Sequence, residues 1–270
     1  MSETTAPLAV PAIQTENLTR TFGAVTAVDR LCLTVEAGEF FGFLGPNGAG
    51  KSTTIHMLTG LMKATSGSAR LLGYDLEKDA VEVKRRMGVV PDGLALFDRL
   101  TAREYLLFSG RMFGMERAVI RSRSEELLEL MGLQDERKKL VVDYSHGMKK
   151  KLALAAALLH EPRILFLDEP FEGLDALAAR SIKEILTSLT DHGVTIFLTS
   201  HILEIVERLC HSVAIIHKGR LVAQGSLDQL RAGIVLGSGD RGTAPMTLEE
   251  IFVNLVEPGE AAPRTLSWLE

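Results

Sequence analysis

Short runs of apolar residues recur along the chain and predict strands that are buried on both faces. They occupy residues 39–44, 164–167 and 194–199. Runs of this length are typical of parallel strands that lie between two covering layers. Apolar and polar residues alternate instead over residues 31–35, which predicts a half-buried strand. The pattern therefore indicates an α/β protein.

The hydrophobic spacing changes to a helical period in the middle of the chain. Residues from about 95 to 142 are rich in helix formers, and charged residues separate the apolar residues of the stretch 120–131. Thr101 and Glu104 match a capping box, in which two side chains satisfy each other's backbone N–H groups at the start of a helix. We expect residues 92–150 to form a helical insert.

The C-terminal part of the chain predicts a hairpin and one further helix. Strand-like residues flank His217-Lys218-Gly219, a favourable hairpin turn. Thr247 and Glu250 match a second capping box at the start of a helix with one apolar stripe. We expect the stripe to dock on the core, and the alternative is an interface with another protein. The predicted segments are a flexible tail at 1–12, the main domain at 13–232, a linker at 233–246, the final helix at 247–257 and a flexible tail at 258–270.

The loop after the first apolar run carries the strongest chemical signal. Residues 45–53 fit the pattern G-x-x-x-x-G-K-[ST] between a predicted strand and a predicted helix. Glycines let backbone N–H groups surround phosphates, a lysine reaches the β and γ oxygens, and a hydroxyl ligates Mg²⁺. The helix N-terminus adds a favourable dipole. The predicted nucleotide-binding residues are Gly45, Pro46, Asn47, Gly48, Ala49, Gly50, Lys51, Ser52 and Thr53.

Composition and charge narrow the class of protein. The 270 residues are 46% hydrophobic, enough for a large core. The net charge of −5 argues against nucleic acid as a partner. Cys32 and Cys210 show no metal-site spacing and predict two reduced, buried thiols. No apolar run approaches the roughly 18 residues that span a bilayer, and the first residues lack a basic signal region, so we expect a soluble protein.

An acidic pair follows the second apolar run. Asp168 and Glu169 come at the carboxyl end of that predicted strand, where ligands bind in open α/β sheets. Asp168 can hold Mg²⁺ through water, and Glu169 can polarise an attacking water as a general base. The alternative is a strand that ends in a polar turn. Together with Lys51 and Ser52, the pair predicts a nucleotide triphosphatase.

The segment at residues 144–148 identifies the class of triphosphatase. Ser145 and Gly147 match two positions of the LSGGQ signature of ABC transporter ATP-binding subunits, which precedes the acidic strand by a similar interval. His146 and Met148 depart from it, in a form that resembles the antibiotic, multidrug and polysaccharide exporters. The resemblance covers residues 13–257. It implies an α/β fold with a P-loop NTPase (RecA-like) core, an antiparallel β subdomain and an inserted α-helical subdomain.

The resemblance also implies roles for residues outside the loop and the acidic pair. Ser145 would cap a helix that addresses the γ-phosphate of ATP held by a second subunit, in a head-to-tail dimer. Asp175 resembles the D-loop aspartate that crosses this dimer. His201 resembles the switch histidine that contacts the γ-phosphate and orders the attacking water. Phe22 matches the aromatic residue that stacks on adenine, and the alternative is an ordinary core phenylalanine.

One departure from the family lies just after a further predicted strand at 87–90, which ends before Pro91. The family has a glutamine where this chain has Asp92. An aspartate can approach Mg²⁺ but cannot donate a hydrogen bond while it is ionised. The residues after Asp92, 94–114, would dock a helix of a membrane partner. Lys149, Lys150 and Lys151 suggest nucleic acid or lipid binding, but a solvated helix face fits the acidic total better.

The sequence thus predicts an ATPase that binds ATP and Mg²⁺ and powers export through a separate membrane permease. Lys51, Glu169 and His201 are the predicted catalytic residues, and Ser52, Asp168 and Asp92 are the predicted metal ligands. The expected location is the cytoplasm, on the inner face of the cell membrane. One alternative is a soluble ABC ATPase that acts on ribosomes or DNA, and another is a regulatory nucleotide-binding module.

Overall fold

The computed structural model describes residues 10–235 and 246–256 of the chain. The strands are β1 (Ile13–Phe22), β2 (Val25–Val35), β3 (Phe40–Leu44), β4 (Ser66–Leu71), β5 (Tyr74–Asp75), β6 (Met87–Val90), β7 (Ile164–Asp168), β8 (Thr195–Thr199), β9 (Ser212–His217) and β10 (Arg220–Ser226). The helices are α1 (Lys51–Leu58), α2 (Ala80–Arg86), α3 (Ala102–Met112), α4 (Arg117–Leu130), α5 (His146–Leu158), α6 (Ala176–Asp191), α7 (Leu203–Leu209), α8 (Leu227–Val235) and α9 (Leu248–Val256), with a short 3-10 helix at Val141–Asp143.

Six strands form the central sheet in the order β10-β9-β3-β8-β7-β6. All neighbours from β9 to β6 run parallel, and β10 closes the edge as an antiparallel hairpin with β9, as predicted. Strand β8 lies between β3 and β7, and its last residue, Thr199, pairs with Phe43 on one side and Asp168 on the other. This order brings the carboxyl ends of β3, β8 and β7 together at one edge of the sheet, where α/β proteins bind ligands.

Both faces of the central sheet are covered, which explains its continuously apolar strands. One face packs against helices α3 to α9, and the other packs against α1, α2 and the second sheet. On that second face, the ring of Phe197 lies 5.6 Å from that of Phe41, 5.3 Å from that of Phe43 and 5.4 Å from that of Phe166, centroid to centroid. Aromatic contacts at these distances favour one packing arrangement of the three strands.

The second sheet is antiparallel, with the order β2-β1-β4-β5. Its strand β1 pairs with β2 on one side and with β4 on the other. Its inward residues include Ile13, Leu31 and Leu33, each at most 1% exposed, so the predicted alternation of residues 31–35 is confirmed. This sheet packs over α1 and therefore helps to fix the helix that follows the glycine-rich loop.

Helices α3 and α4 and the start of α5 lie within the predicted insert, residues 92–150. The capping box is confirmed: Thr101 N–H donates to Glu104 Oε2 at 2.8 Å, and Glu104 N–H donates to Thr101 Oγ1 at 3.3 Å. Helices α3 and α4 approach closely at Gly110, where a Cβ atom would lie 2.6 Å from Ile120 Cγ1. The close packing gives the insert a fixed shape.

Helix α9 docks on the core, as the stripe predicted. Its residues Leu248 and Ile251 are fully buried, and Thr247 and Glu250 form the expected capping box, with N···O distances of 2.9 and 3.3 Å. The helix packs against α7 and α8. Within the described residues, no helix combines the length and the apolar character needed to cross a bilayer.

The structure corrects three predictions outside the site. Ala12, assigned to a flexible tail, is fully buried, and its carbonyl accepts a hydrogen bond from Leu72 N–H at 2.9 Å. The start of the predicted linker belongs to α8, which continues to Val235. Cys210 is buried but Cys32 is exposed, because its strand β2 has only one inward face. The remaining residues of the two tails and the linker, 1–9, 236–245 and 257–270, lie outside the described residues.

Candidate functional site

The glycine-rich loop connects β3 to α1 and curls around the N-terminus of that helix. Gly48 and Gly50 have φ angles of 76° and 109°, in the left-handed region that only glycine adopts freely. Ala49 N–H donates to Pro46 O at 3.1 Å and closes the turn. The Lys51 ammonium donates to the carbonyls of Gly45 at 2.7 Å and Pro46 at 3.3 Å. The loop therefore brings a lysine and a helix N-terminus to one place, the arrangement that binds phosphates.

Gly45 is a glycine of this loop that leaves no room for a side chain. A Cβ there would lie 2.4 Å from the carbonyl oxygen of Ile216, in the neighbouring strand. We expect Gly45→Ala to lower the free energy of unfolding by about 3 kcal/mol, because backbone would have to move. Gly48→Ala is the matched control: its Cβ meets nothing within 4 Å, and only the φ of 76° is unfavourable, at about 1 kcal/mol. Denaturant unfolding without nucleotide measures both, and equal losses would contradict the steric argument.

A cleft of about 660 Å³ opens over the loop at the edge of the sheet. Its lining joins residues from distant parts of the sequence and is strongly polar. The lining residues include most of the loop together with Asp92, Asp168, Glu169, Glu172, Ser200 and His201. Ala49 is the one loop residue between 45 and 53 outside this lining, because its side chain is buried. The cleft has the shape and polarity of a site for a phosphorylated ligand.

The carboxylate of Asp168 is buried at the end of β7. The hydroxyl of Thr199, the last residue of β8, donates to Asp168 Oδ1 at 2.5 Å. The same hydroxyl accepts from Glu169 N–H at 3.1 Å. Thr199 therefore holds both acidic residues in place. The register of β7 against β8 creates this contact between residues that are far apart in the sequence.

Glu169 and His201 form a pair beside the loop. The Glu169 backbone has a φ of 48°, which is unfavourable for a residue with a side chain and is common at functional sites. Its Oε2 accepts from His201 N–H at 3.2 Å and lies 2.9 Å from His201 Nδ1. The Glu169 side chain is 14% exposed and the His201 side chain 54%. A carboxylate oriented in this way can accept a proton from a water in the cleft.

Ser145 and Asp175 lie outside the lining of the cleft, and each begins a helix. Ser145 Oγ accepts from Met148 N–H at 3.3 Å at the start of α5, and Asp175 Oδ1 accepts from Ala178 N–H at 2.8 Å at the start of α6. The two helix starts are neighbours, since a Cβ on Gly147 would lie 3.5 Å from Leu174 Cδ2. They form a second polar surface, distinct from the cleft over the loop.

The geometry agrees with the comparison with known families. The model of the ABC transporter family matches residues 28–172, slightly more than half of the chain. The chain belongs to the ABC transporter family. It is 42% identical to a bacitracin transport ATP-binding protein of Bacillus licheniformis, over 81% of this chain and 71% of that protein. It is 39% identical to a daunorubicin/doxorubicin resistance ATP-binding protein of Streptomyces peucetius, over 83% and 68%.

Other ABC transporter proteins extend the comparison. A Nod factor export ATP-binding protein of Paraburkholderia xenovorans is 40% identical over 94% of this chain and 84% of its own length. A solved ATP-binding subunit of an ABC transporter is 33% identical, has a TM-score of 0.82 and aligns with 90% of this chain and 99% of its own. A dimeric bacterial cassette at 24% identity has a TM-score of 0.74, over 79% and 98% of the two chains, and supports the fold alone.

The predicted identity and fold class are therefore confirmed. The chain is an ATP-binding subunit of an ABC transporter, it hydrolyses ATP, and it belongs with the subunits of the exporter branch. The P-loop NTPase core, the antiparallel sheet and the helices between β6 and β7 match this family's cassette fold.

The predicted environment of one lysine of this ABC transporter subunit, Lys150, is wrong. Lys150 is 3% exposed, not part of a solvated helix face. Its ammonium donates to the carbonyls of Glu169 at 2.7 Å and Glu172 at 2.6 Å. Burial lowers the pKa of Lys150, while the charge of Asp92, followed by those of Glu172 and Glu169, opposes this effect. The side chain is buried because the turn after β7 supplies carbonyl acceptors that a charge count cannot show.

The structure also places two aromatic residues relative to the cleft. Phe22 is 44% exposed, so it is not a core residue, but it lies outside the lining of the cleft, and the Arg20 guanidinium sits 4.6 Å from its ring centroid. Phe252 of α9 does line the cleft and was missed, as were Ala27, Glu172, Ser200 and Leu203. The apolar stripe of α9 predicted docking, but only the tertiary structure shows where the helix docks.

Proposed function

We propose that this subunit works in a head-to-tail dimer that binds ATP with Mg²⁺ and powers substrate export through a separate membrane permease. The observation that carries the proposal is the Glu169–His201 pair beside the glycine-rich loop, with Ser145 and Asp175 on a separate surface. The pair supplies the hydrolytic group, and the separate surface supplies groups for a second copy of the site.

Hydrolysis needs few groups, because phosphoryl transfer depends mainly on positioning and on neutralising charge. Lys51 reaches from the start of α1 and neutralises β- and γ-phosphate oxygens when it leaves the loop carbonyls. Glu169 accepts the proton of a water whose oxygen attacks the γ-phosphorus, while the bond to the bridging oxygen breaks and ADP leaves. His201 holds Oε2 of Glu169 in position through its N–H and its ring.

The same cleft suits Mg²⁺. Ser52, Asp168 and Asp92 line it together, and hydroxyl and carboxylate oxygens are the ligands that this ion prefers. Bound Mg²⁺ would neutralise phosphate charge and orient the β- and γ-phosphates. Asp168 is buried and hydrogen-bonded to Thr199, so it remains fixed with or without the ion. Asp92 contributes a negative charge where a glutamine would be neutral.

The position of the signature residues supports the proposed dimer. Ser145 and Gly147 start α5 at a surface outside the cleft, although a helix N-terminus favours phosphate. In a head-to-tail dimer, this helix start faces the ATP of the other subunit, and Asp175 lies beside the same junction. Each of the two ATP molecules is then enclosed by the loop of one subunit and the signature residues of the other. Binding closes the dimer, and hydrolysis reopens it.

Export through a permease is supported by the relatives, which are named for bacitracin transport, drug resistance and Nod factor export. These names favour a transporter over an ABC ATPase of ribosomes or DNA and over a regulatory module. Helix α3 and the residues before it expose Phe97, Phe108 and Met112, apolar residues suited to a partner helix. A permease bound there holds the subunit on the inner face of the membrane.

The permease assignment predicts that an exposed residue of α3 controls membrane capture. Met112 is 73% exposed, and we expect Met112→Asp to lower co-purification of a polytopic membrane protein about tenfold, because a charge enters an apolar contact. Leu61→Asp, at a residue 68% exposed on another surface, is the matched control and should leave capture unchanged. The measurement is affinity capture of the tagged chain from detergent-solubilised membranes, with ATPase activity recorded in parallel.

Two outcomes would contradict the proposal. Recovery of ribosomal proteins or DNA without a membrane protein would favour the soluble ATPase. Equal capture by wild type and Met112→Asp, with the Leu61→Asp control also unchanged, would show that α3 does not bind the permease.

A further inference from the structure

A buried lysine connects the signature helix to the turn that carries Glu169. Lys150 lies in α5, whose first residues follow the signature serine, Ser145. Its ammonium donates to the carbonyls of Glu169 and Glu172 at 2.7 and 2.6 Å. Glu172 N–H also donates to Glu169 O at 3.2 Å, so these two residues are the ends of one tight turn. Lys150 therefore bonds to both ends of the turn at once.

This turn needs external support. Glu169 adopts a φ of 48°, an unfavourable value for a residue with a side chain. Such a backbone conformation persists only when the neighbouring structure holds it. Thr199 holds the turn from β8, through the Glu169 N–H at 3.1 Å. Lys150 holds it from α5, through the carbonyls. The carboxylate of Glu169 is thus placed by bonds from two sides, and one of them comes from the helix that starts at the signature residues.

A second contact joins the same two segments. A Cβ on Gly173 would lie 3.1 Å from His146 Cδ2, so the ring of the signature residue His146 packs directly on the chain just after the turn. The segment from Glu169 to Gly173 is therefore attached to α5 at its start and at its end. A shift of α5 moves this segment with it.

We infer that Lys150 is a positioning residue for ATP hydrolysis, one that fixes the Glu169 turn to the signature helix so that the Glu169 carboxylate stays aligned with the attacking water. The inference rests on the proposed role of Glu169 as the general base. In the head-to-tail dimer, α5 senses the ATP of one site while Glu169 acts in the other, so Lys150 links the two sites. The ammonium touches neither ATP nor water in this role.

The test is a double-mutant cycle on the full chain. Lys150→Met keeps the apolar stem and removes the ammonium with its donors, and we expect kcat to fall about 10- to 100-fold, because misplacing a catalytic group by about 1 Å costs this much. The KM for ATP should change less than about twofold, since Lys150 lies away from the nucleotide. Lys150→Arg keeps a cation with several N–H donors and should recover most of the rate.

The decisive comparison is made in a Glu169→Gln background, by single-turnover hydrolysis. There Lys150→Met should cause no further loss, because a residue that acts through Glu169 has nothing left to position. Lys149→Met is the matched control: it is the neighbouring residue of the same helix, its ammonium lies 3.6 Å from Asp98 Oδ1 on the surface, and its kcat should stay at the wild-type value. Equal losses from Lys150→Met in both backgrounds, or a change in KM alone, would overturn the inference.

A substitute variant and a separate readout keep the test decisive. Lys150→Gln retains N–H donors, but its nitrogen lies one bond closer to the backbone than that of lysine. It replaces Lys150→Met in the cycle if that variant does not fold. Its smaller loss in kcat should again vanish in the Glu169→Gln background. Failure of the proposed base is seen separately, as wild-type turnover by Glu169→Gln alone. An inactive Glu169→Gln variant with additive Lys150 losses would instead refute the positioning role only.

Discussion

Glu169→Gln is expected to lower kcat by about 10²- to 10⁴-fold while leaving ATP binding intact. The amide has the shape of the carboxylate and can still accept the His201 N–H, which lies 3.2 Å from Oε2. It cannot accept the proton of the attacking water. Since hydrolysis reopens the dimer, the variant should accumulate as a dimer in the presence of ATP and Mg²⁺. Phosphate release measures the first effect, and light scattering with and without ATP measures the second.

Glu184→Gln makes the same chemical change on the surface of α6. Its carboxylate pairs with Arg180 at 2.8 Å, an exposed contact of little energetic value, so kcat should stay at the wild-type value. A Glu169→Gln variant that continues to hydrolyse ATP would contradict the general-base role. A variant that is inactive but remains monomeric with ATP would contradict the proposal that nucleotide closes the dimer.

The parts of the site that the sequence predicted are those built from short-range patterns. Residues 45–53 are contiguous, and their glycines and lysine have a fixed relation to the strand before them and the helix after them. Asp168 directly follows an apolar run that could only be a buried strand or helix. In both segments, the chemistry and the element that positions it lie within a few residues, so no tertiary information is needed.

Contacts between distant segments could not be predicted in the same way. Thr199 bonds Asp168 because β8 lies beside β7, and the order of strands in a parallel sheet is not encoded in any one strand. Phe252 reaches the cleft because α9 packs on α7 and α8, whereas its apolar stripe is compatible with many docking positions. The resemblance to a family supplied the expected neighbours of the loop, but not these individual contacts.

Lys150 shows why a correct general rule gave a wrong local result. Runs of lysine are usually solvated, because burying an ammonium without partners is costly. Here the carbonyls of Glu169 and Glu172 supply the partners, and they come from a turn that follows a different strand. Lys149, one residue earlier, follows the rule more closely and pairs with Asp98 near the surface. The difference between the two neighbours depends on the direction of each side chain on α5.

Two inactive variants are expected to restore activity when they are mixed. Lys51→Ala removes the cation of the loop, and Gly147→Glu places a negative charge at the helix start that faces the γ-phosphate of the other subunit. Each variant alone should lose about 10²-fold or more in kcat. Gly147→Glu should still fold, because a Cβ there lies 3.5 Å from Leu174 Cδ2, an ordinary contact distance. ATPase assays at saturating ATP measure both variants.

In a head-to-tail dimer of one Lys51→Ala chain and one Gly147→Glu chain, one site contains both changes and the other contains neither. Equal mixing forms such dimers in about half of the population, so about a quarter of wild-type activity should return. The control mixes Lys51→Ala with a chain that carries both substitutions, which leaves no intact site and should stay inactive. Recovery in the first mixture alone requires a site shared between two chains. Inactivity of both mixtures would instead place each complete site within a single chain.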